Sequence, residues 1–224
     1  MKKLLLVFAL VLISKAAFAV SPVSFKVTVI RTDPSGTNID SIQIYNKATG
    51  AQILNCESQN SCTVSVKSGT IIKIVAVDFV PQTGFSKWGR TNTGTAVCFG
   101  STNKTCEVTV SGDIAANAVF KRIEVVRVQL GEGDGKLVVK RNGAQAFECT
   151  NRAPLSCSAG FLEDDKVRIE AIAGQLSQFQ KFSGQTGDAT VCTGRGATFF
   201  CEFTLTNAST ALGASVVGNF ILIP

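Results

Sequence analysis

The sequence predicts an all-β protein made of two tandem, small, disulfide-stapled β-sheet domains, sandwich-like or β-grasp-like. Three observations predict this. Cys56, Cys62, Cys98 and Cys106 recur as Cys149, Cys157, Cys192 and Cys201, displaced by 93, 95, 94 and 95 residues, and four agreeing offsets define an internal repeat. The apolar residues within each repeat alternate with period two, as in half-buried strands. Nowhere does a period of 3.6 persist for three helical turns.

Taken in order, residues 1–19 read as a secretory signal. Lys2 and Lys3 precede the apolar run Leu4 to Ile13, and Ala17-Phe18-Ala19 supplies the small-x-small cleavage pattern before Val20. The run is too short to span a bilayer. No membrane span is therefore expected, and the product should be secreted, to the exterior, the cell surface or the periplasm. The first β domain is assigned to residues 20–121. Phe25, Val27 and Val29 alternate with Lys26 and Thr28, Lys47 to Gly50 suits a hairpin turn, and Thr70 to Asp78 is rich in Ile and Val. The second domain is assigned to residues 122–224, with the boundary near Lys121-Arg122 and a very short linker, since Phe120 ends one apolar run and Ile123 begins the next. Such a junction limits relative motion. Here Asn142-Gly143 between Lys136 to Arg141 and Ala144 to Cys149 is a strong hairpin signal, and Lys166 to Ala173 and Phe199 to Thr206 read as strands.

Eight cysteines in a secreted chain point to oxidised pairs. Both repeats place their first two cysteines 6 or 8 residues apart and their last two 8 or 9 apart. The pairing predicted is Cys56 with Cys62, Cys98 with Cys106, Cys149 with Cys157, and Cys192 with Cys201. No CxxC spacing occurs, which argues against a thiolate metal site or a redox-active thiol. The chain has no His, so His-based triads and most zinc enzymes are excluded. Removing residues 1–19 takes away three of 22 basic residues against 16 acidic ones, lowering the formal charge from +6 to +3. The basicity of the whole chain is thus no sign of a nucleic-acid partner.

The order of motifs resembles a known family. An alternating strand, a Cys pair, a Gly turn and an Ile/Val strand are followed by Phe85-x-x-Trp88, Cys98, Cys106-Glu107-Val108-Thr109-Val110 and a closing Ala118-x-Phe120. The second repeat carries Phe179-x-x-Phe182, Cys192, Cys201-Glu202-Phe203-Thr204-Leu205 and Phe220. This arrangement is similar to the divergent internalin-type B-repeat domain of bacterial secreted and surface proteins. It departs from it in having Phe182 where the family has Trp, and in the length of each repeat. The resemblance implies tandem all-β modules used for spacing, adhesion or assembly, with no common catalytic site.

Few residues invite a chemical reading. Gly131 to Lys136 superficially suggests a phosphate loop, but Leu137 follows the Lys and a strand follows the loop, so a turn is expected. Glu163-Asp164-Asp165 is read as a solvated turn before the strand at Lys166 rather than a Ca²⁺ site. Trp88, flanked by Lys87 and Arg90, matches Phe182 and is read as core rather than as a stacking platform. Glu107 and Glu202 are the acids common to both repeats, and alternation turns them outward. No catalytic residue, cofactor or metal site is assigned. The apolar ends, Val20 and Val23 at the start and Ile221, Leu222 and Ile223 at the close, are candidate assembly residues. The expected function is a non-catalytic extracellular binding or adhesion protein with a surface protein or glycan as partner. The alternatives are a fibre or matrix subunit polymerising head-to-tail by strand addition, and a carboxylate-dependent hydrolase.

Overall fold

The computed structural model describes residues 22–33, 40–78, 83–151, 156–192, 198–206 and 213–223. The signal segment 1–19 and Val20 lie outside these residues. Alternating apolar residues form strands wherever one face can be buried. Those of the first repeat are β1 (Ser24–Thr32), β2 (Ser41–Asn46), β3 (Gln52–Cys56), β4 (Ser61–Lys67), β5 (Ile71–Val77), β6 (Thr83–Gly89), β7 (Thr95–Ala96) and β8 (Thr105–Thr109). A 17-residue strand, β9 (Ile114–Leu130), leads into β10 (Gly135–Arg141), β11 (Ala144–Thr150), β12 (Ser156–Leu162), β13 (Lys166–Ala173), β14 (Ser177–Thr186), β15 (Phe200–Thr204) and β16 (Ala214–Leu222). A short 3₁₀ segment, Gly187–Cys192, stands where the first repeat has β7.

The two repeats have one topology. In the first, β3-β2-β5-β8 form one sheet, and β4, β1, the first half of β9, and β6 form the other, with β1 and β9 parallel. In the second, β11-β10-β13-β15 face β12, the second half of β9, β16 and β14, with β9 and β16 parallel. This is a sandwich in each repeat. Of the two architectures the sequence admitted, the β-grasp reading gives way, since every layer among the described residues is a sheet. Between the sheets lie two cores. Val27, Val29, Ile42, Ile44, Ile72, Ile74, Trp88 and Phe120 are buried in one, and Val126, Val128, Leu137, Ile169, Phe179 and Phe220 in the other. Each such large side chain contributes about 1.5–3 kcal/mol on burial.

The hairpin expected at Asn142-Gly143 joins β10 to β11, with both residues at positive φ (49° and 89°). These are the backbone conformations a two-residue type I′ turn requires, and Asn and Gly adopt them most readily. The boundary near Lys121-Arg122 falls inside β9, so the expected linker is replaced by continuous strand. Thr83 pairs with Arg122 and Gly84 with Lys121 on the β6 side, and Leu162 of β12 pairs with Ile123 on the next residue. The start of β6 and the end of β12 therefore abut. A Cβ at Gly84 would lie 2.8 Å from Leu162 Cδ2, so the two modules approach closely here and a side chain at this position would displace the Leu162 methyl. Lys121 Nζ also meets Asp164 Oδ2 at 2.7 Å, and the Glu163 amide donates to the Arg122 carbonyl at 3.0 Å.

Candidate functional site

The eight cysteines form four bonds in the structure: Cys56–Cys62, Cys98–Cys106, Cys149–Cys157 and Cys192–Cys201. What sequence spacing did not show is their architectural place. Cys56 ends β3 and Cys62 lies in β4, which are outer strands of opposite sheets. The bond therefore ties the two layers together along one open side of the sandwich. Cys98, just after β7, reaches Cys106 in β8 and ties the other side. Cys149 and Cys157 repeat the first arrangement in β11 and β12, and Cys192 and Cys201 the second.

Trp88 is fully buried, 5.3 Å from Phe85 between ring centroids, and Phe85 lies 6.0 Å from Phe120. Phe179, Phe182 and Phe220 form the equivalent cluster, with centroids 4.8 and 5.6 Å from Phe179. The indole adds a function that Phe182 lacks. Its Nε1 donates to the Asn103 carbonyl at 2.8 Å, while its backbone exchanges bonds with Ser101 and Gly100. The turn so held presents Phe99, 55% exposed, with the Arg90 guanidinium 5.3 Å from the ring centre.

Gly131 to Asp134 form the bend between β9 and β10, and Gly135 and Lys136 open β10. Gly133, at φ +88°, lies against Phe220 with no room for a Cβ, so its glycine serves packing against β16. The acidic run differs from expectation. Glu163 and Asp164 occupy the turn, but Asp165 is buried. It accepts from the Leu162 amide and the Asn142 side chain, each at 2.7 Å, and pairs with Arg141 at 2.6 Å. Burial is sustained because these donors replace water around the carboxylate. Among the described residues no group of three or more His, Cys, Asp or Glu side chains is placed to hold a metal ion.

Glu107 and Glu202 line two separate surface hollows at equivalent places on the outer faces of the β2-bearing and β10-bearing sheets. The first, about 360 Å³, is walled by Tyr45, Lys47 and Lys73 with Glu107, and Lys47 is ion-paired to Glu107. The second, about 470 Å³, is walled by Lys140, Lys166, Arg168, Glu170 and Glu202. Glu170 is held by Lys140 and Arg168, each at 2.8 Å, and its pKa is lowered first by the Lys140 hydrogen bond. Arg168 also lies over the Phe200 ring at 4.0 Å. These walls offer charge and ring faces for polar contact. One acid of the shared pair stands on each module, an arrangement that does not make a joint carboxylate site.

Near the junction, Glu124 has its pKa raised, first by burial and then by Asp188, against the opposing pull of Arg122.

The candidate assembly residues lie at opposite ends. Val23 is 59% exposed beside β4, its carbonyl accepting from the Ser68 amide at 2.8 Å. Ile221 and Leu222 pair with Gln178 and Ser177, and the Ile223 amide donates to the Leu176 carbonyl at 2.8 Å. The closing residues therefore complete the sheet of their own module while leaving their side chains in solvent. Leu176, the most exposed of this group at 70%, was not singled out from sequence. Its signal was a large aliphatic residue in the otherwise polar turn Gly174-Gln175-Leu176-Ser177-Gln178.

No protein-family model and no curated protein matches the chain. Solved structures are similar to it at low identity. The Streptococcal ancillary pilin is 10% identical, with 88% of this chain and 62% of that one covered and a TM-score of 0.34. The Bacillus anthracis TIE protein is 8% identical, with 88% and 33% covered and a TM-score of 0.31. The minor pilin GBS52 of Streptococcus agalactiae is 9% identical, with 89% and 98% covered and a TM-score of 0.33. The chain thus spans less than two thirds of the length of the first two.

Proposed function

We propose that this is a secreted, non-catalytic protein that works by surface contact outside the cytoplasm, as a binding or adhesion module. The observation that carries the reading is β9, a single strand of 17 residues shared by both sandwiches. A shared strand holds two contact surfaces in fixed relation, which benefits a binding scaffold. Four disulfides among eight cysteines suit an oxidising compartment, and the leader-like residues 1–19 agree with export. The kinship with internalin-type B repeats belongs to this proposal and rests on the motif order of the two repeats.

The test is retention of the oxidised protein on immobilised cell-surface polysaccharides and on surface proteins. Binding that is weakened by charge reversal at Lys73 or Arg168, in the two hollows, supports the reading. Turnover of a glycoside or ester panel that is abolished by Glu107→Gln or Glu202→Gln would replace it with the hydrolase alternative.

A further inference from the structure

The two sandwiches share a surface as well as a strand. The strands β14-β16-β9-β1-β4, with β6, β7 and β12 also paired to β9, make a single eight-stranded sheet that runs through both modules. Its inner side is fixed by the buried Ala116, Ala118 and Phe120 in one core and Val126, Val128 and Leu130 in the other. Side chains alternate between faces, so Lys121 and Arg127 of β9 point outward. The register carries Lys26, Lys67, Lys87 and Lys181 to the same side, and all of these but Lys121 are exposed.

The strands supply no carboxylate on that side. β1, β4, β6, β7, β12, β14 and β16 contain no Asp or Glu, and Glu124, the one acid of β9, has the inward register of Val126 and Val128. The acids beside the face belong to loops: Asp113 accepts from the Lys26 amide at 2.8 Å, and Asp164 pairs with Lys121. Lys26, Lys67, Lys87, Arg127 and Lys181 have no ion pair among the described residues. On the outer faces of the opposite sheets, in contrast, Glu107, Glu148 and Glu170 are each paired with a cation. Lysine on an edge strand blunts unwanted pairing, which accounts for Lys67, Lys87 and Lys181 in β4, β6 and β14. It does not account for Lys26, Lys121 and Arg127, which lie on the interior strands β1 and β9.

Arg127 also walls a hollow of about 220 Å³ with Gln129, Thr186, Ser215 and Val217, where Thr186 Oγ1 and Ser215 Oγ lie 2.7 Å apart. A guanidinium beside an amide and two hydroxyls suits a carboxylate or sulfate carried on a hydroxylated ring. At about 3.4 Å per residue Lys121 and Arg127 stand roughly 20 Å apart, and a face of one sign over such a length attracts an extended polyanion. Single-stranded nucleic acid is held by exposed rings on which bases stack, and a membrane surface by apolar side chains, rings among them, sunk beneath a cationic face. Here every Phe and Trp of these strands packs into one of the two cores. Between the cations lie hydroxyls and amides, such as Thr28 bonded to Thr63 and Thr32 to Asn117, which match the hydroxyls of a sugar chain.

We propose that the outer face of the eight-stranded sheet binds an anionic polysaccharide laid along both modules, with one of its acidic groups seated on Arg127. This names a ligand class for the contact-protein reading, on which it rests, and places it on a different sheet from the hollows of Lys73 and Arg168.

The affinity of the oxidised protein for polygalacturonate and for dextran sulfate, measured by biolayer interferometry against uncharged dextran, tests it. Both acidic polymers should bind and dextran should not, with affinity falling about tenfold or more between roughly 0.05 and 0.3 M salt. Arg127→Glu and Lys26→Glu, one in each module, should each weaken binding about tenfold or more. Lys136→Glu, the same change of charge on the opposite sheet, should alter it less than about twofold. Circular dichroism and melting should be unchanged in all three. Dextran bound as well as the acidic polymers, equal losses from all three substitutions, or tighter binding of single-stranded DNA or anionic lipid vesicles would overturn the proposal. Failure of the acidic polymers alone, with a neutral polysaccharide or a surface protein still retained, would remove it and leave the contact reading. Failure of every ligand together with turnover of a glycoside or ester would remove both.

Discussion

The indole nitrogen of Trp88 separates two modules whose aromatic clusters otherwise match. A ring of either type fills the core, but only Trp88 can tie the Asn103 carbonyl to it. Trp88→Phe should therefore cost about 1–3 kcal/mol, combining the lost hydrogen bond with a residual void. Urea unfolding measures this, and amide exchange should quicken at Gly100 and Ser101. Sequence alone identified Trp88 as core through its match to Phe182, but the carbonyl it serves is fifteen residues away and became visible only in the fold. Glu124 offers a second test. Its folded pKa is raised above the usual 4.5 by burial and by Asp188, so its neutral form suits the fold better than its charged form. Stability linked to this group is fully present below pH 4.5 and is lost as pH rises through the folded value. Glu124→Gln should stabilise the protein at neutral pH by about 0.5 kcal/mol or less, given its partial exposure. The difference should vanish in melting curves below pH 4.5. Glu170 runs the other way: lowered mainly by its bond from Lys140, it contributes above pH 4.5 and loses its contribution as pH falls through the folded value.

Among the elements, the disulfide-linked outer strands β3 and β4, and β11 and β12, show why short-range disulfides matter here. Each loop closed by Cys56–Cys62 or Cys149–Cys157 is short, and its direct restriction of the unfolded chain is modest. Replacing both cysteines of either pair by Ala should cost about 2–3 kcal/mol, readable as a lowered denaturation midpoint. The effect should concentrate on exchange of the outer strands β3 and β4, or β11 and β12, because these are the layers the bond joins. The spacing of cysteines and the Asn142-Gly143 turn were legible because they act between near neighbours. The burial of Asp165 was not, because Arg141 and Asn142 lie across the hairpin and their approach depends on β10 and β13 pairing. A polar run of three acids reads as a solvated turn until its partners are brought to it.

For the whole molecule, β9 makes the two sandwiches a mechanical unit, with Leu162, Ile123 and Gly84 in contact where the modules meet. Calorimetry of the native chain should give one transition. Insertion of Gly-Ser-Gly between Lys121 and Arg122 breaks the strand and should split it into two, since each module retains its own core. A single transition after insertion would show that coupling does not pass through β9. By itself the sequence determined the strand class, the twofold repeat and the local cysteine partners, because periodicity and short separations are properties of the chain before it folds. Only the tertiary structure decided that the expected linker is strand, that the disulfides join opposite sheets, and that Leu176 stands opposite Ile223. Those features depend on which strands become neighbours across a hundred residues, and neighbour choice is set by the simultaneous burial of both sheets' inner faces.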